Sequence, residues 1–129
     1  MKIEIKSEQA PQPIGPYSQG IQAGDFFYFS GQIAINPVDN NLVTNNGIVE
    51  ETRQVMENIG ACLKAAKLSW DDVIKASIFL KDLSNFTYVN EVYGSYLKAP
   101  FPARETVEVS KLPKDVNVEI SVTAYKKES

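Results

Sequence analysis

Histidine is missing from all 129 residues, and cysteine occurs once, as Cys62. The first absence removes Ser-His and Cys-His nucleophile pairs. Together they leave too few soft ligands for a zinc or copper site, so no metal is expected. One cysteine cannot close an intrachain disulfide, which fits a reducing compartment. Clustered positive charge is also scarce. Lys and Arg number 13 against 16 Asp and Glu, a net charge of −3, so the footprint of a nucleic-acid binder is missing. Long apolar runs are lacking too. The densest aromatic stretch, Phe26-Phe27-Tyr28-Phe29, is far too short to span a bilayer. The segment from Met1 to Ala10 is charged, unlike a signal peptide. The expectation is a cytoplasmic protein with no nucleic-acid and no membrane partner.

What is present fits one domain over residues 1–129, long enough for a proper core without staples. Pro11, Pro13 and Pro16 mark a loop. Gln19–Gln22, the turn Ala23-Gly24-Asp25 and Phe26–Ile33 read as strand, turn, strand. Residues 36–47 are a polar connection rich in Asn. Ile48, Thr52, Val55, Ile59, Cys62 and Ala66 recur at helical spacing, which predicts a helix over 48–68. Glu50 and Glu51 in its first turn suit the macrodipole. Residues 72–81 predict a strand with Ile74, Ala76, Ile78 and Leu80 facing one way. A second helix is predicted over 84–97, with Ser84 as N-cap. Strands over 104–110 and 116–125 complete an α+β domain: a mixed sheet of about six strands, counting Lys2–Lys6, with two helices on one face.

Alternation in the last strand sets Val118, Ile120 and Val122 toward the helices and Glu119 on the opposite face. Taking Val107 and Val109 as helix-facing in the preceding strand places Arg104, Thr106 and Glu108 with Glu119. Arg104 and Glu119 on one face form either a solvated cross-strand ion pair or a site for a small carboxylate. Asn90 interrupts the apolar stripe of the second helix. Its amide serves either a structural hydrogen bond or a site. Gly31, after Ser30, marks a bulge or a close approach by a ligand. Cys62 reads as a core thiol and Trp70 as a cap on the core. The Leu112-Pro113-Lys114-Asp115 run reads as turn chemistry.

Ile14-Gly15-Pro16-Tyr17-Ser18-Gln19-Gly20, Ser30-Gly31-Gln32-Ile33, Val89-Asn90-Glu91-Val92-Tyr93, Pro102-Ala103-Arg104 and Leu112-Pro113-Lys114-Asp115 occur in this order. Together they resemble the RidA family, also called YjgF, of reactive intermediate imine deaminases. The resemblance covers nearly the whole chain. It implies a chorismate-mutase-like α+β fold, a homotrimer with a barrel-like centre and active sites in clefts between subunits. It implies hydrolysis of 2-imino acids to 2-oxo acids and ammonia without a cofactor. It assigns Arg104 to the substrate carboxylate, Glu119 with Thr106 to the attacking water, and Tyr17, Ser30, Gly31 and Asn90 to the lining. Thr106 stands where many members carry cysteine. Two other readings fit the same cleft: a regulatory trimer binding 2-oxo or amino acids without turnover, and a ribonuclease or translation inhibitor.

Overall fold

A computed structural model describes residues 1–127 of the chain. Among them, six strands and two α-helices run in the order β1 (Lys2–Ile5), β2 (Gly20–Ala23), β3 (Phe26–Phe29), α1 (Ile48–Ala65), β4 (Val73–Leu80), α2 (Phe86–Ser95), β5 (Ala103–Glu108) and β6 (Val118–Tyr125). The strands form one sheet in the order β1-β2-β3-β6-β4-β5. Only β4 and β5 pair in parallel, through the α2 crossover. The mixed sheet with both helices on one face is the expected α+β architecture. No helix among the described residues is long and apolar enough to cross a membrane.

The core lies between the helices and the face of β6 and β4 that carries Val118, Ile120, Val122, Ala76, Ile78 and Leu80, all buried. Val55, Met56, Ile59, Cys62 and Leu63 of α1 press on that face. Burial pushes the Cys62 thiol up to about 11, which fits a core thiol. Trp70 packs against the same cluster, 5.8 Å from the ring of Tyr96.

Four details depart from expectation. α1 stops at Ala65 rather than Leu68, because Lys67 turns left-handed at φ 61°. Lys67 N–H then bonds Lys64 C=O and Leu68 N–H bonds Leu63 C=O, which ends the helix in a Schellman motif. Ile74 is 43% exposed, since a bulge between Val73 and Lys75 puts Val73 inward instead. Ser84 does not cap α2. Asp82 accepts from Ser84 N–H and caps a 3-10 turn over Leu83–Asn85, and α2 begins at Phe86. Glu51 does more than suit the macrodipole. It is fully buried and takes Asn117 N–H and Asn117 Nδ2–H at 2.7 Å each, tying α1 to the start of β6.

The loop between β1 and β2 is held by one buried amide. Gln19 Oε1 accepts from Ser7 N–H at 2.6 Å, and Gln19 Nε2 donates to Ser7 C=O and Pro11 C=O. That anchoring fixes the segment carrying Tyr17.

Candidate active site

Sheet register decides which side chains meet, because residues side by side across paired strands share a face. Arg104 pairs with Ala76, and Thr106 with Ile78. Ala76 and Ile78 pair in turn with Val122 and Ile120. Arg104 and Thr106 therefore stand on the helix-covered face. Val107 pairs with Phe79, which pairs with Glu119. Glu119 therefore stands on the opposite face. The shared face read from the sequence is wrong by one residue in β5. The reason is that β5 is an edge strand, where α2 covers the inner face with aromatic rings that accept a guanidinium. Val107 is left 42% exposed on the outer face.

Arg104 is bracketed by α2. Its Nη1–H donates to Asn90 Oδ1 at 2.6 Å. Its Cζ lies 5.5 Å from the Phe86 ring centre and 5.2 Å from that of Tyr93. Phe86, Asn90 and Tyr93 are spaced i, i+4, i+7, so one helix face presents all three. Each cation–π contact is worth about 0.5–2 kcal/mol depending on desolvation. One guanidinium N–H is occupied and the remaining donors are available for a fork onto a carboxylate. A cavity of about 440 Å³ lies against this group, lined by Asn90, Tyr93, Gly94, Phe101, Pro102 and Arg104. Asn90 is exposed rather than buried, at the edge of the stripe. Burial pushes the Tyr93 phenol up, and the charge of Arg104 pulls it partly back. The Thr106 hydroxyl is buried and makes no hydrogen bond among the described residues.

Glu119 belongs to a second cavity of about 150 Å³, shared with Tyr17, Gly31, Gln32, Pro113 and Lys114. Gln32 and Ile120 exchange backbone hydrogen bonds of 2.8 and 3.2 Å, which clamps Gly31 beside Glu119. A Cβ on Gly31 would meet Glu119 Oε2 and lie 2.9 Å from Glu119 Cδ. Gly31 thus permits a close approach, but by the carboxylate of its own chain. We expect Gly31→Ala to keep the fold and lower turnover about tenfold or more, since a small displacement of a reacting group is costly. Equal kcat/KM in the two proteins would refute this. Ser30 lies just outside that cavity. Its hydroxyl donates to Ser18 C=O at 2.6 Å and its N–H to Gln19 C=O, so it braces the loop bearing Tyr17.

Burial pushes the Glu119 carboxyl above its ordinary value of 4.5. Folding therefore favours its neutral form. The stability this lends is complete below the ordinary carboxylate range and is lost as pH rises through the raised value. A base at this position must ionise first, so turnover should rise with pH through a midpoint above 4.5. A pH profile of kcat/KM in the native chain and in Glu119→Gln checks this. An acid limb that survives in Glu119→Gln would assign it to another group.

The seven residues singled out from the sequence thus fall into two half-sites. Arg104, Asn90 and Thr106 stand on one face. Glu119, Gly31 and Tyr17 meet around the other cavity, with Ser30 behind them. The aromatic bracket and the Gln32 clamp were missed. The i, i+4, i+7 spacing of Phe86, Asn90 and Tyr93 was the available signal for the bracket.

The family model described as "Endoribonuclease L-PSP" matches residues 7–126. A RutC family protein of Pyrococcus horikoshii is 52% identical, over 98% of this chain and 99% of its own length. A 2-iminobutanoate/2-iminopropanoate deaminase of Dermatophagoides farinae is 43% identical, over 90% of each. Among solved structures, a Rid family protein of Yersinia pestis superposes with a TM-score of 0.94 at 46% identity, covering 98% of this chain and all of the other. With a matching family model over almost its whole length and relatives this similar, the chain belongs to the YjgF/RidA family.

Proposed function

We propose that this chain hydrolyses small 2-imino acids to 2-oxo acids and ammonia, as a homotrimer whose active sites form between neighbouring copies. The observation that carries the reading is the bracketed Arg104 guanidinium, with free donors on a cavity of about 440 Å³. That geometry suits a carboxylate held by two parallel charge-assisted hydrogen bonds. The name of the Dermatophagoides farinae relative supports the substrate class.

Within one chain, Arg104 and Glu119 lie on opposite sheet faces, so a single copy cannot apply both to one substrate. In a cyclic head-to-tail assembly, the Arg104 half of one copy meets the Glu119 half of the next. The outer sheet face supports such an assembly. It carries Tyr28 at 50% and Phe26 at 41% exposure, and exposed apolar clusters of this kind favour burial against another surface.

The chemistry then needs little. Arg104 fixes the substrate carboxylate, and with it the imine carbon. Glu119 of the neighbouring copy accepts a proton from a water molecule as the oxygen bonds that carbon. That proton passes to the imine nitrogen to give the carbinolamine. Glu119 then relays the proton of the new hydroxyl to the same nitrogen, the C=O double bond forms as the C–N bond breaks, ammonia leaves and a 2-oxo acid remains. Positioning and one proton relay supply most of the acceleration. The Thr106 hydroxyl is closed to solvent on the Arg104 side, so we give it no part in activating water.

The test uses threonine and a threonine dehydratase to generate 2-iminobutanoate, with semicarbazide trapping the free imine. Added protein should divert the imine to 2-oxobutanoate and suppress trapping. Unchanged trapping at every protein concentration would refute deaminase activity.

A further inference from the structure

Lys114 and Asp115 are consecutive non-glycine residues with φ of +57° each, a conformation L residues rarely adopt. The surroundings hold them there. Leu112 and Val116 on either side are buried. Asp115 N–H bonds Leu112 C=O at 3.0 Å, and Lys81 Nζ donates to Asp115 Oδ1 at 2.5 Å. Glycine or asparagine would accept this backbone more easily at position 114, yet the chain has lysine. Its ammonium makes no ion pair or hydrogen bond among the described residues. Lys114 lines the Glu119 cavity, and among the described residues these two are the only charged ones that do.

We propose that Lys114 is the substrate-attracting cation of the Glu119 cavity, held at its rim by the left-handed turn. This rests on the reading that the cleft takes a small carboxylate. An anionic substrate entering beside Glu119 meets a like charge before it reaches the guanidinium of the other half-site. A lysine at that rim offsets the repulsion and raises the local concentration of anion. Lys114 then governs capture rather than the chemical step. Its removal raises KM and leaves kcat near the native value.

The experiment measures 2-oxobutanoate binding by calorimetry, and imine turnover, at low and at physiological salt. It compares the native chain with Lys114→Met, Lys114→Gly and Lys114→Arg. Lys114→Met and Lys114→Gly should bind roughly fivefold more weakly at low salt and lose most of the salt dependence. Lys114→Arg should restore both. Lys114→Gly should also melt at a higher temperature, because glycine relieves the turn. A merely structural turn predicts native affinity and native salt dependence in Lys114→Gly, and that result overturns the proposal. Native turnover with no effect of Lys114 overturns this inference alone. Lysine-dependent binding without turnover upholds it and removes the deaminase reading. Absence of both binding and turnover in the native chain overturns both.

Discussion

Arg104→Ala and Glu119→Gln should each retain only residual activity alone and should regain about a quarter of native turnover when mixed and allowed to exchange subunits. In the proposed role, Arg104→Ala would remove two charge-assisted hydrogen bonds to the substrate, worth about 3–6 kcal/mol together, or roughly 10²–10⁴-fold in kcat/KM. Its fold should persist, because Asn90, the residue that accepts from Arg104, is exposed. Arg104→Lys should also fail largely, since lysine lacks the planar fork and fits the Phe86–Tyr93 bracket poorly. Recovery on mixing follows from the proposed assembly: a copy with intact Arg104 would supply one half, and a copy with intact Glu119 the other. In a random equal mixture, about one cleft in four receives both intact halves. No recovery after verified exchange would mean that one chain supplies the whole site. It would contradict the assignment of the two residues to opposite faces.

Glu51→Leu should be the most damaging single change to folding. Glu51 is fully buried and meets both Asn117 N–H and Asn117 Nδ2–H at 2.7 Å. A leucine leaves the two half-buried Asn117 donors without their acceptor, at up to about 1–3 kcal/mol each. The same residue pair anchors the strand that carries Glu119, since Lys81 N–H also bonds Asn117 C=O. Thermal unfolding should show the midpoint falling by on the order of 10 °C or more. Glu51→Gln retains an acceptor and should lose less. A midpoint within a degree or two of native for Glu51→Leu would show that solvent reaches Asn117.

The sequence made parts of this readable and hid others for physical reasons. Alternation in β6 is unambiguous because its inner face is apolar throughout, so the side of Glu119 was legible. β5 misled because its valines look like core. An edge strand under an aromatic-lined helix can hold a guanidinium on its inner side and leave Val107 outside, and only its pairing with β4 reveals this. The bulge at Ile74 misled for a similar reason, since one extra residue reverses the phase before it. Asn90 stands out in the sequence as a polar interruption of the α2 stripe, but it lies exposed at the stripe's edge. Its partner lies 14 residues away on another element and was invisible to local pattern. Glu51 was assigned to the helix dipole although it shares the face of Val55 and Cys62, a position that also signals burial.

Because the two half-sites point away from each other across one sheet, the proposed deaminase would hold its catalytic competence in the contact between copies rather than in the polypeptide. On that reading, specific activity should depend on the protein's own concentration, falling on dilution below the assembly threshold and returning on reconcentration. A cell could silence the reaction by diluting the chain, with every copy folded and chemically intact.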